Sequence, residues 1–166
     1  REMASKFTSR PPIHIAACEL VSGTYNIPGE PHEEITTRAA LKAYEKAGIG
    51  PEDVNVVEVH DAMSPAELRL YEELHLCKPG EAGMMIDEGH TALTGRIPVN
   101  PSGGLAAKGH PISATGLAQV YEIVTQLRGE AGERQVTNNP KVGLVENAGG
   151  WTMDDNAACA VTVLKK

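Results

Sequence analysis

The sequence predicts a layered α/β domain, in which helices cover a β-sheet, and three observations support this prediction. Apolar runs of strand length alternate along the chain with helical patterns, an order typical of such folds. Aromatic residues make up only 4% of the chain and glycine occurs 17 times, and small residues allow layers to pack closely. A chain of 166 residues is long enough for one such domain with its own core.

The first third of the chain predicts a lead-in segment, a strand and a helix. Residues 1–12 are polar and end in two prolines, so we expect the domain to occupy residues 13–166. The short apolar run 13–20 is typical of a buried strand. Residues 33–47 repeat alanine and isoleucine every four positions, which predicts a helix with one apolar stripe that ends at Gly48.

A second strand and a second helix are predicted next. The run 54–59 is apolar and β-branched, and it places His60 and Asp61 at the carboxyl end of the predicted strand. The four residues from Ser64 to Glu67 have the pattern of a capping box, because a serine is followed three positions later by a glutamate. We therefore expect a helix with Ser64 as its cap.

The second half of the chain predicts a loop, a long helix and two strands. The loop at 100–110 is rich in glycine, which allows sharp turns and close approach of the backbone to a ligand. Proline is favoured at the first helical position, so we expect a helix over 111–128 with an apolar stripe that begins at Ile112. Apolar runs predict strands at 142–145 and 157–164.

Composition argues against several classes of function. The net charge is −7 and no long basic run is present, which disfavours a nucleic-acid-binding surface. No apolar run reaches membrane-spanning length, and we expect neither a membrane anchor nor a signal peptide. The cysteines, Cys18, Cys77 and Cys159, are far apart and do not form metal-binding pairs, so we expect no metal site and a reduced, cytoplasmic location.

Three groups are expected to meet at one edge of the sheet, because ligands collect beyond the carboxyl ends of strands. If a helix starts at Pro111, its dipole disfavours a charged imidazole at His110, which would then be free to accept a proton. His60 could donate its ring N–H to an oxygen that becomes negative during a reaction, and the turn at Gly149 and Gly150 could aim backbone N–H groups at a second such oxygen.

Each of these groups also has an ordinary structural interpretation. His110 could simply precede a helix, His60 could be a core histidine bonded to a carbonyl, and the glycine pair could be a tight connection. A nucleophile is not evident in the pattern. Ser64 is explained as a cap, Cys77 follows a predicted helix end, where the dipole disfavours a thiolate, and the strand cysteines suit inert buried thiols.

Five short motifs resemble the C-terminal half of a thiolase, and most of all the sterol-carrier-type thiolases and their thiolase-like, lipid-transfer relatives. The likeness runs from about residue 13 to the end of the chain. A Gly-His-Pro motif close behind an Asn-Pro-Ser-Gly-Gly loop is the most specific part. The motifs are Val-Glu-Val-His-Asp-Ala-Met-Ser at 57–64, Asn-Pro-Ser-Gly-Gly-Leu at 100–105, Gly-His-Pro at 109–111, Ala-Thr-Gly at 114–116 and Gln-Leu-Arg-Gly at 126–129.

The resemblance implies a five-stranded mixed sheet with helices on both faces, and a nucleophilic cysteine in a separate N-terminal half. His110 would activate that cysteine and help to bind the thioester oxygen, His60 would complete this first oxyanion hole, and Gly149 or Gly150 would complete a second. The reaction would be cleavage or Claisen condensation of a 3-oxoacyl-CoA, with a coenzyme A thioester as substrate and no covalently bound cofactor. Residues expected to bind substrate are Ser102, Gly103, Gly104, Gly109 and Met63.

Two departures from the family pattern keep other functions open. Ala62 stands where many sterol-carrier-type thiolases have an acid/base cysteine, and the turn from Glu146 to Gly150 also has no cysteine. Glu146 could replace it, or could be an exposed strand-end carboxylate. The alternatives are a retro-aldolase of acyl-CoA substrates that works with a small partner containing a zinc ribbon and an oligonucleotide-binding-type barrel, and a non-catalytic subunit that binds acyl-CoA or a partner. We also expect a homo-oligomer.

Overall fold

A computed structural model describes residues 3, 6–25, 27, 29–152 and 155–166 of the chain. Four residues of the predicted lead-in segment lie outside the described residues: Arg1, Glu2, Ala4 and Ser5. The strands are β1 (His14–Ser22), β2 (Val56–Glu58), β3 (Val142–Gly149) and β4 (Ala158–Lys165). The helices are α1 (Ile35–Ala47), α2 (Ser64–Glu73), α3 (Ala82–Asp87), α4 (Gly104–Lys108) and α5 (Thr115–Arg128), and short 3₁₀ turns span Pro51–Asp53 and Gly132–Arg134.

The strands form one mixed sheet in the order β1-β4-β3-β2. β2 and β3 run parallel, and β4 is antiparallel to both of its neighbours. The parallel pairing brings the carboxyl ends of β2 and β3 to the same edge of the sheet. Helices cover both faces, as predicted, with α1 packed on β1 and β4 and α5 packed on β2 and β3.

The prediction of five strands is wrong for the part of the chain that the structure describes, which has a four-stranded sheet. Beside β2, the segment around Val99 forms only a single parallel bridge to Val57. Two prolines, Pro98 and Pro101, flank this bridge and cannot donate a backbone hydrogen bond to a neighbouring strand. Asn100 then turns the chain away with φ of 49°. A longer ladder therefore cannot form at this edge.

The expectation that β1 is a buried strand is also wrong, because α1 covers only one of its faces. Ala17 and Val21 are buried, while Cys18 and Leu20 on the other face are exposed. Cys18 is therefore not the inert buried thiol that the sequence pattern suggested. No helix within the described residues is long and apolar enough to cross a membrane.

Two helices begin differently from the sequence prediction. α2 starts at Ser64 itself and no side-chain cap bond forms, since Glu67 instead accepts a hydrogen bond from the Tyr71 hydroxyl at 2.6 Å. α5 starts at Thr115 rather than at Pro111, because Ser113 has a left-handed φ of 70° that interrupts the helical path. The expected helix dipole directly behind His110 is therefore absent from its predicted place.

The buried stripe of α5 is largely polar, contrary to the predicted apolar stripe. Ile123 and Leu127 are buried as expected, but Ile112 is 83% exposed. Four buried polar side chains recur at helical spacing along the same helix, namely Thr115, Gln119, Glu122 and Gln126. Two large apolar residues of α5, Leu117 and Tyr121, point to solvent instead.

Candidate active site

A cavity of about 960 Å³ opens at the carboxyl edge of β2 and β3. His60, Met63 and His110 line it together with the turn at Gly149 and Gly150. The structure thus brings together the three groups that the strand order predicted at this edge. Their proposed roles remain predictions, which the geometry around each group makes more specific.

The two histidines lie directly against one another. Their ring centroids are 4.8 Å apart and the rings meet edge to face, at an interplanar angle of 87°. His60 follows β2 by two residues, whereas His110 arrives from the loop after α4. Two imidazoles at this distance can both contact one small group of a ligand.

Glu58 at the end of β2 holds the glycine-rich loop in place. Its buried carboxylate accepts hydrogen bonds from the backbone N–H of Ser102 (3.0 Å), the Ser102 hydroxyl (2.7 Å) and the ammonium of Lys108 (3.1 Å). Burial raises the pKa of Glu58, and the bonds from Ser102 and the charge of Lys108 oppose that rise. This side chain fastens the loop to the strand that carries His60.

Asp61, beside His60, makes a second connection between the end of β2 and the glycine-rich loop. Its carboxylate caps α4 by accepting the backbone N–H groups of Leu105 (2.7 Å) and Ala106 (3.3 Å). Gly104 has a φ of 62°, and a side chain there would overlap the Asp61 carboxylate, so glycine is required at this position. Asn100 adds a third connection by accepting the backbone N–H of Val59 at 2.8 Å.

The contacts of Glu58 and Asp61 explain why the glycine-rich loop has serine at position 102 and glycine at position 104. Among the residues that the structure describes, the cavity lining includes Met63, which is 64% exposed, but not Ser102, Gly103, Gly104 or Gly109. The structure uses Ser102 and Gly104 to build the loop. The expectation that the four loop residues bind substrate stays a prediction.

The His60 imidazole is held through one ring nitrogen. Its Nδ1 lies 3.0 Å from Nδ2 of Asn147 on β3, and its backbone N–H donates to Oε2 of Glu146 at 2.9 Å. Burial and the nearby charge of His110 lower the pKa of His60, while Asp61 opposes that shift. Burial therefore disfavours the charged form of this imidazole.

The His110 imidazole has a different kind of partner. Its Nδ1 lies 2.7 Å from the hydroxyl of Thr115, the first residue of α5. That hydroxyl also lies within donating distance of the Pro111 carbonyl, at 3.3 Å. A hydroxyl can donate and accept, so it can support either neutral form of the ring.

Glu146 is buried, so the interpretation as an exposed strand-end carboxylate is wrong. It is 0% exposed, and Sγ of Cys159 on the neighbouring strand β4 lies 3.6 Å from its Oε1. Burial raises its pKa from the ordinary 4.5 to about 7, although the hydrogen bond from His60 opposes the shift. Its main visible contact holds the backbone of His60.

None of the three cysteines, all of them within the described part of the chain, lines the cavity. Cys159 is fully buried, and burial together with the Glu146 charge raises its pKa. Burial also raises the pKa of Cys77, which agrees with its expected low reactivity. The described ranges contain no group of three or more histidine, cysteine, aspartate or glutamate side chains arranged to hold a metal ion.

Sequence reasoning missed the polar residues that support the two histidines. Asn147, Gln119 and Thr115 each contact a histidine or its partner. One signal could have found two of them, because Thr115 and Gln119 belong to the polar stripe at helical spacing along α5. Asn147 carries no such signal, since it lies in a short polar run after an apolar strand.

Comparison with known proteins agrees with the fold. Sterol carrier protein 2 of Rattus norvegicus is 52% identical over 116 residues, which is 70% of this chain and 21% of that protein. Acetyl-CoA acetyltransferase of Methanothermobacter thermautotrophicus is 41% identical over 156 residues, covering 90% of this chain and 39% of that protein. The benzoylsuccinyl-CoA thiolase subunit BbsB of Thauera aromatica is also 41% identical, with the same coverage.

The chain therefore spans well under half the length of these curated relatives. A solved structure titled "Ltp2-ChsH2(DUF35) aldolase" matches 97% of the chain and 41% of its own with a TM-score of 0.77, and at 22% identity it shows the fold alone. The family model described as "Thiolase C-terminal domain-like" matches residues 30–165. The chain belongs to this thiolase C-terminal domain family.

Proposed function

We propose that the chain is the C-terminal domain of a coenzyme A-dependent acyltransferase of the thiolase class. The observation that supports this most directly is the contact between His60 and His110 in the cavity at the edge of the sheet. The identity to an acetyl-CoA acetyltransferase and to a thiolase subunit agrees with it. The substrate would be a coenzyme A thioester, with no covalently bound cofactor.

In the proposed reaction a cysteine from an N-terminal half attacks the 3-keto carbonyl carbon of a 3-oxoacyl-CoA. His110 takes the thiol proton on its free ring nitrogen, and the thiolate forms a bond to the carbonyl carbon while the carbonyl electrons move to oxygen. His60 donates a hydrogen bond to that oxygen. Collapse of this tetrahedral intermediate breaks the carbon–carbon bond, leaves the acyl group on the cysteine and releases an acetyl-CoA carbanion, which must then gain a proton.

That last proton transfer separates this chain from ordinary thiolases, because Ala62 cannot supply it. We propose that a group other than Ala62, outside the residues named above, donates this proton. The acyl-enzyme would next be attacked by coenzyme A, with the backbone N–H of Gly149 or Gly150 directed at the new oxyanion. In the opposite direction the same groups would catalyse Claisen condensation.

The exposed apolar surface supports the need for further polypeptide. Ile112, Leu117 and Tyr121 are exposed on and beside α5, at 83%, 74% and 69%, and Leu20 is exposed on β1. Large exposed apolar side chains, such as those on and beside α5, are a feature of interaction surfaces. We propose that an N-terminal thiolase half covers it, as the greater length of the relatives suggests, in a cytoplasmic homo-oligomer.

A retro-aldolase of acyl-CoA substrates is the second candidate. Ala62 favours it, because a carbon–carbon lyase of this kind does not need the missing acid/base cysteine. Such an enzyme would work with a small zinc-ribbon and barrel partner. A third candidate is a non-catalytic subunit that binds acyl-CoA or a partner through the exposed apolar surface.

The test uses the full-length protein, with the N-terminal sequence it has in its natural context, and measures thiolytic cleavage of 3-oxoacyl-CoA. We expect His110→Ala to lower kcat/KM by roughly 10² to 10⁴, the usual contribution of a general base. His90→Ala is the matched control and should leave the rate unchanged, because that half-buried histidine pairs with Glu88 away from the cavity.

Mass spectrometry after mixing with substrate distinguishes the candidates. An acyl group trapped on a cysteine supports the acyltransferase and argues against the aldolase. Unchanged activity in His110→Ala would contradict the assigned base. A protein that binds acyl-CoA without turnover would instead support the non-catalytic subunit.

A further inference from the structure

We infer that Gln119 and Asn147 are positioning residues that fix the tautomer of His60, with the proton on Nε2. The catalytic meaning of this inference rests on the proposed function, in which His60 must donate a hydrogen bond. Its structural content is independent of that function. It follows from a chain of three hydrogen bonds that begins at a backbone carbonyl.

The first bond sets the orientation of Gln119. Its side chain lies 3.0 Å from the backbone carbonyl oxygen of Glu146, and a carbonyl oxygen can only accept. The amide nitrogen of Gln119 must therefore face this carbonyl, because the opposite orientation would set two acceptors against each other. Gln119 is 0% exposed, so bulk water does not compete for its amide.

The second and third bonds transmit that orientation to His60. With its nitrogen used, Gln119 presents Oε1 to Asn147 at 2.9 Å, which forces Asn147 to turn its NH₂ group inward. The second hydrogen of that NH₂ group points at Nδ1 of His60, 3.0 Å away. Nδ1 must accept this hydrogen bond, so the ring proton of neutral His60 is on Nε2.

Glu146 contacts both ends of this chain of hydrogen bonds, at Gln119 and at His60. Its backbone carbonyl orients Gln119, and its carboxylate accepts the backbone N–H of His60 at 2.9 Å. The ring and the main chain of His60 are thus fixed by the same residue of β3. Burial lowers the pKa of His60, which disfavours the charged ring and agrees with a neutral donor.

The test is long-range ¹H–¹⁵N correlation NMR of histidine side chains in the full-length protein, at a pH where imidazoles are neutral. We expect the His60 signals of the Nε2–H form. The wild-type spectrum alone decides the main point, since an Nδ1–H form of His60 would overturn the inference. This readout needs no substrate, so it can succeed even if the proposed acyl transfer fails.

Asn147→Asp tests the chain of bonds, because a carboxylate offers only acceptors to both neighbours. We expect His60 to change to the Nδ1–H form or to become protonated, with a raised pKa. Catalysis should then fall mainly in kcat and should acquire a new pH dependence. An unchanged His60 tautomer in folded Asn147→Asp would overturn the role of Asn147.

Gln119→Glu should disturb the same His60 signals, since it places an acceptor against the Glu146 carbonyl. Gln126→Glu is the matched control on the same helix. Gln126 is also fully buried, and its amide nitrogen also donates to a backbone carbonyl, that of Arg134, at 2.7 Å. We expect Gln126→Glu to leave the His60 tautomer unchanged, and an equal response to both variants would contradict a specific role for Gln119.

Discussion

The two histidines of the cavity are held by different kinds of support. His60 follows a buried strand, and the amides of Asn147 and Gln119 connect its Nδ1 to a backbone carbonyl. His110 lies at the end of a glycine-rich loop, and its Nδ1 contacts one hydroxyl, that of Thr115. The first arrangement allows one neutral tautomer, whereas the second can adjust to either.

This difference suggests that the two imidazoles have different roles in the proposed reaction. A group that stabilises an oxyanion must present the same N–H throughout the reaction, which the amide chain at His60 ensures. A base that takes a proton on Nε2 must already carry a hydrogen on Nδ1, and the Thr115 hydroxyl can accept that N–H while it donates to the Pro111 carbonyl. The donor role of His60 and the base role of His110 remain part of the proposed reaction, and the different supports of the two rings agree with that proposal.

The largest effect should come from breaking the loop that carries His110. Asp61→Ala leaves the backbone N–H groups of Leu105 and Ala106 without their acceptor. At about 1–3 kcal/mol for each unsatisfied donor, we expect the free energy of unfolding to fall by roughly 4 kcal/mol, measured by urea denaturation. The NMR signals of His110 should shift more than those of the His60–Asn147 pair.

Asp53→Ala is the control for that prediction. Asp53 also accepts a backbone N–H at the start of a short helical turn, from Gly50 at 2.9 Å, but it is exposed. We expect a loss below about 1 kcal/mol, as for an ordinary exposed cap. A similar loss in both variants would mean that Asp61 does not fasten the loop.

A pH-dependent effect should come from the buried carboxylate behind His60. The pKa of Glu146 is raised in the folded protein from 4.5 to about 7, so the folded state binds more protons between these values. Its contribution to stability is fully present below about pH 4.5 and is lost as the pH rises through about 7. The loss is on the order of 3 kcal/mol if each pKa step counts about 1.4 kcal/mol.

Glu146→Gln should remove this pH dependence while still accepting the His60 backbone N–H. We expect the variant to be more stable than the wild type at pH 8 and to lose the difference near pH 5. Unfolding curves across that range provide the measurement. The same slope with pH in both proteins would show that Glu146 does not titrate as the structure indicates.

The smallest effect should come from Thr115→Val, which removes one hydroxyl and preserves the shape of a β-branched side chain. Thr115 is 2% exposed, so the ring of His110 loses its partner without gaining water directly behind it. We expect about a tenfold loss in kcat, and about 1 kcal/mol of stability. Thr125→Val is the control, because its hydroxyl bonds only within α5, to Tyr121.

The sequence predicts those parts of the site that depend on local pattern, but not those that depend on contacts with distant parts of the chain. The meeting of His60 with the turn at Gly149 and Gly150 follows from the carboxyl ends of the parallel strands β2 and β3, a rule that needs only local pattern, whereas His110 reaches the same edge from the loop after α4. The start of α5 could not be read from Pro111, because the left-handed turn at Ser113 depends on the loop around it. The short pairing beside β2 has a signal in the sequence, because Pro98 and Pro101 limit that edge to one bridge.

The burial of Glu146 and the polar stripe of α5 show a second limit. Pattern analysis assigns polar residues to solvent, yet Gln119, Glu122 and Glu146 are buried because each finds polar partners across the fold. Those partners come from distant parts of the chain, such as the 27 positions that separate Gln119 from Glu146. Only tertiary structure shows that Gln119 and Glu146 support His60.

The most direct test of this account compares His60→Asn, His60→Ala and His110→Asn in acyl transfer by the full-length protein. Asparagine still offers an N–H, so His60→Asn should stay within about tenfold of wild type, while His60→Ala should lose roughly 10² to 10³. His110→Asn cannot accept a proton and should lose roughly 10² to 10⁴. If His60→Asn is as impaired as His60→Ala, or His110→Asn stays within tenfold of wild type, the division between donor and base is contradicted.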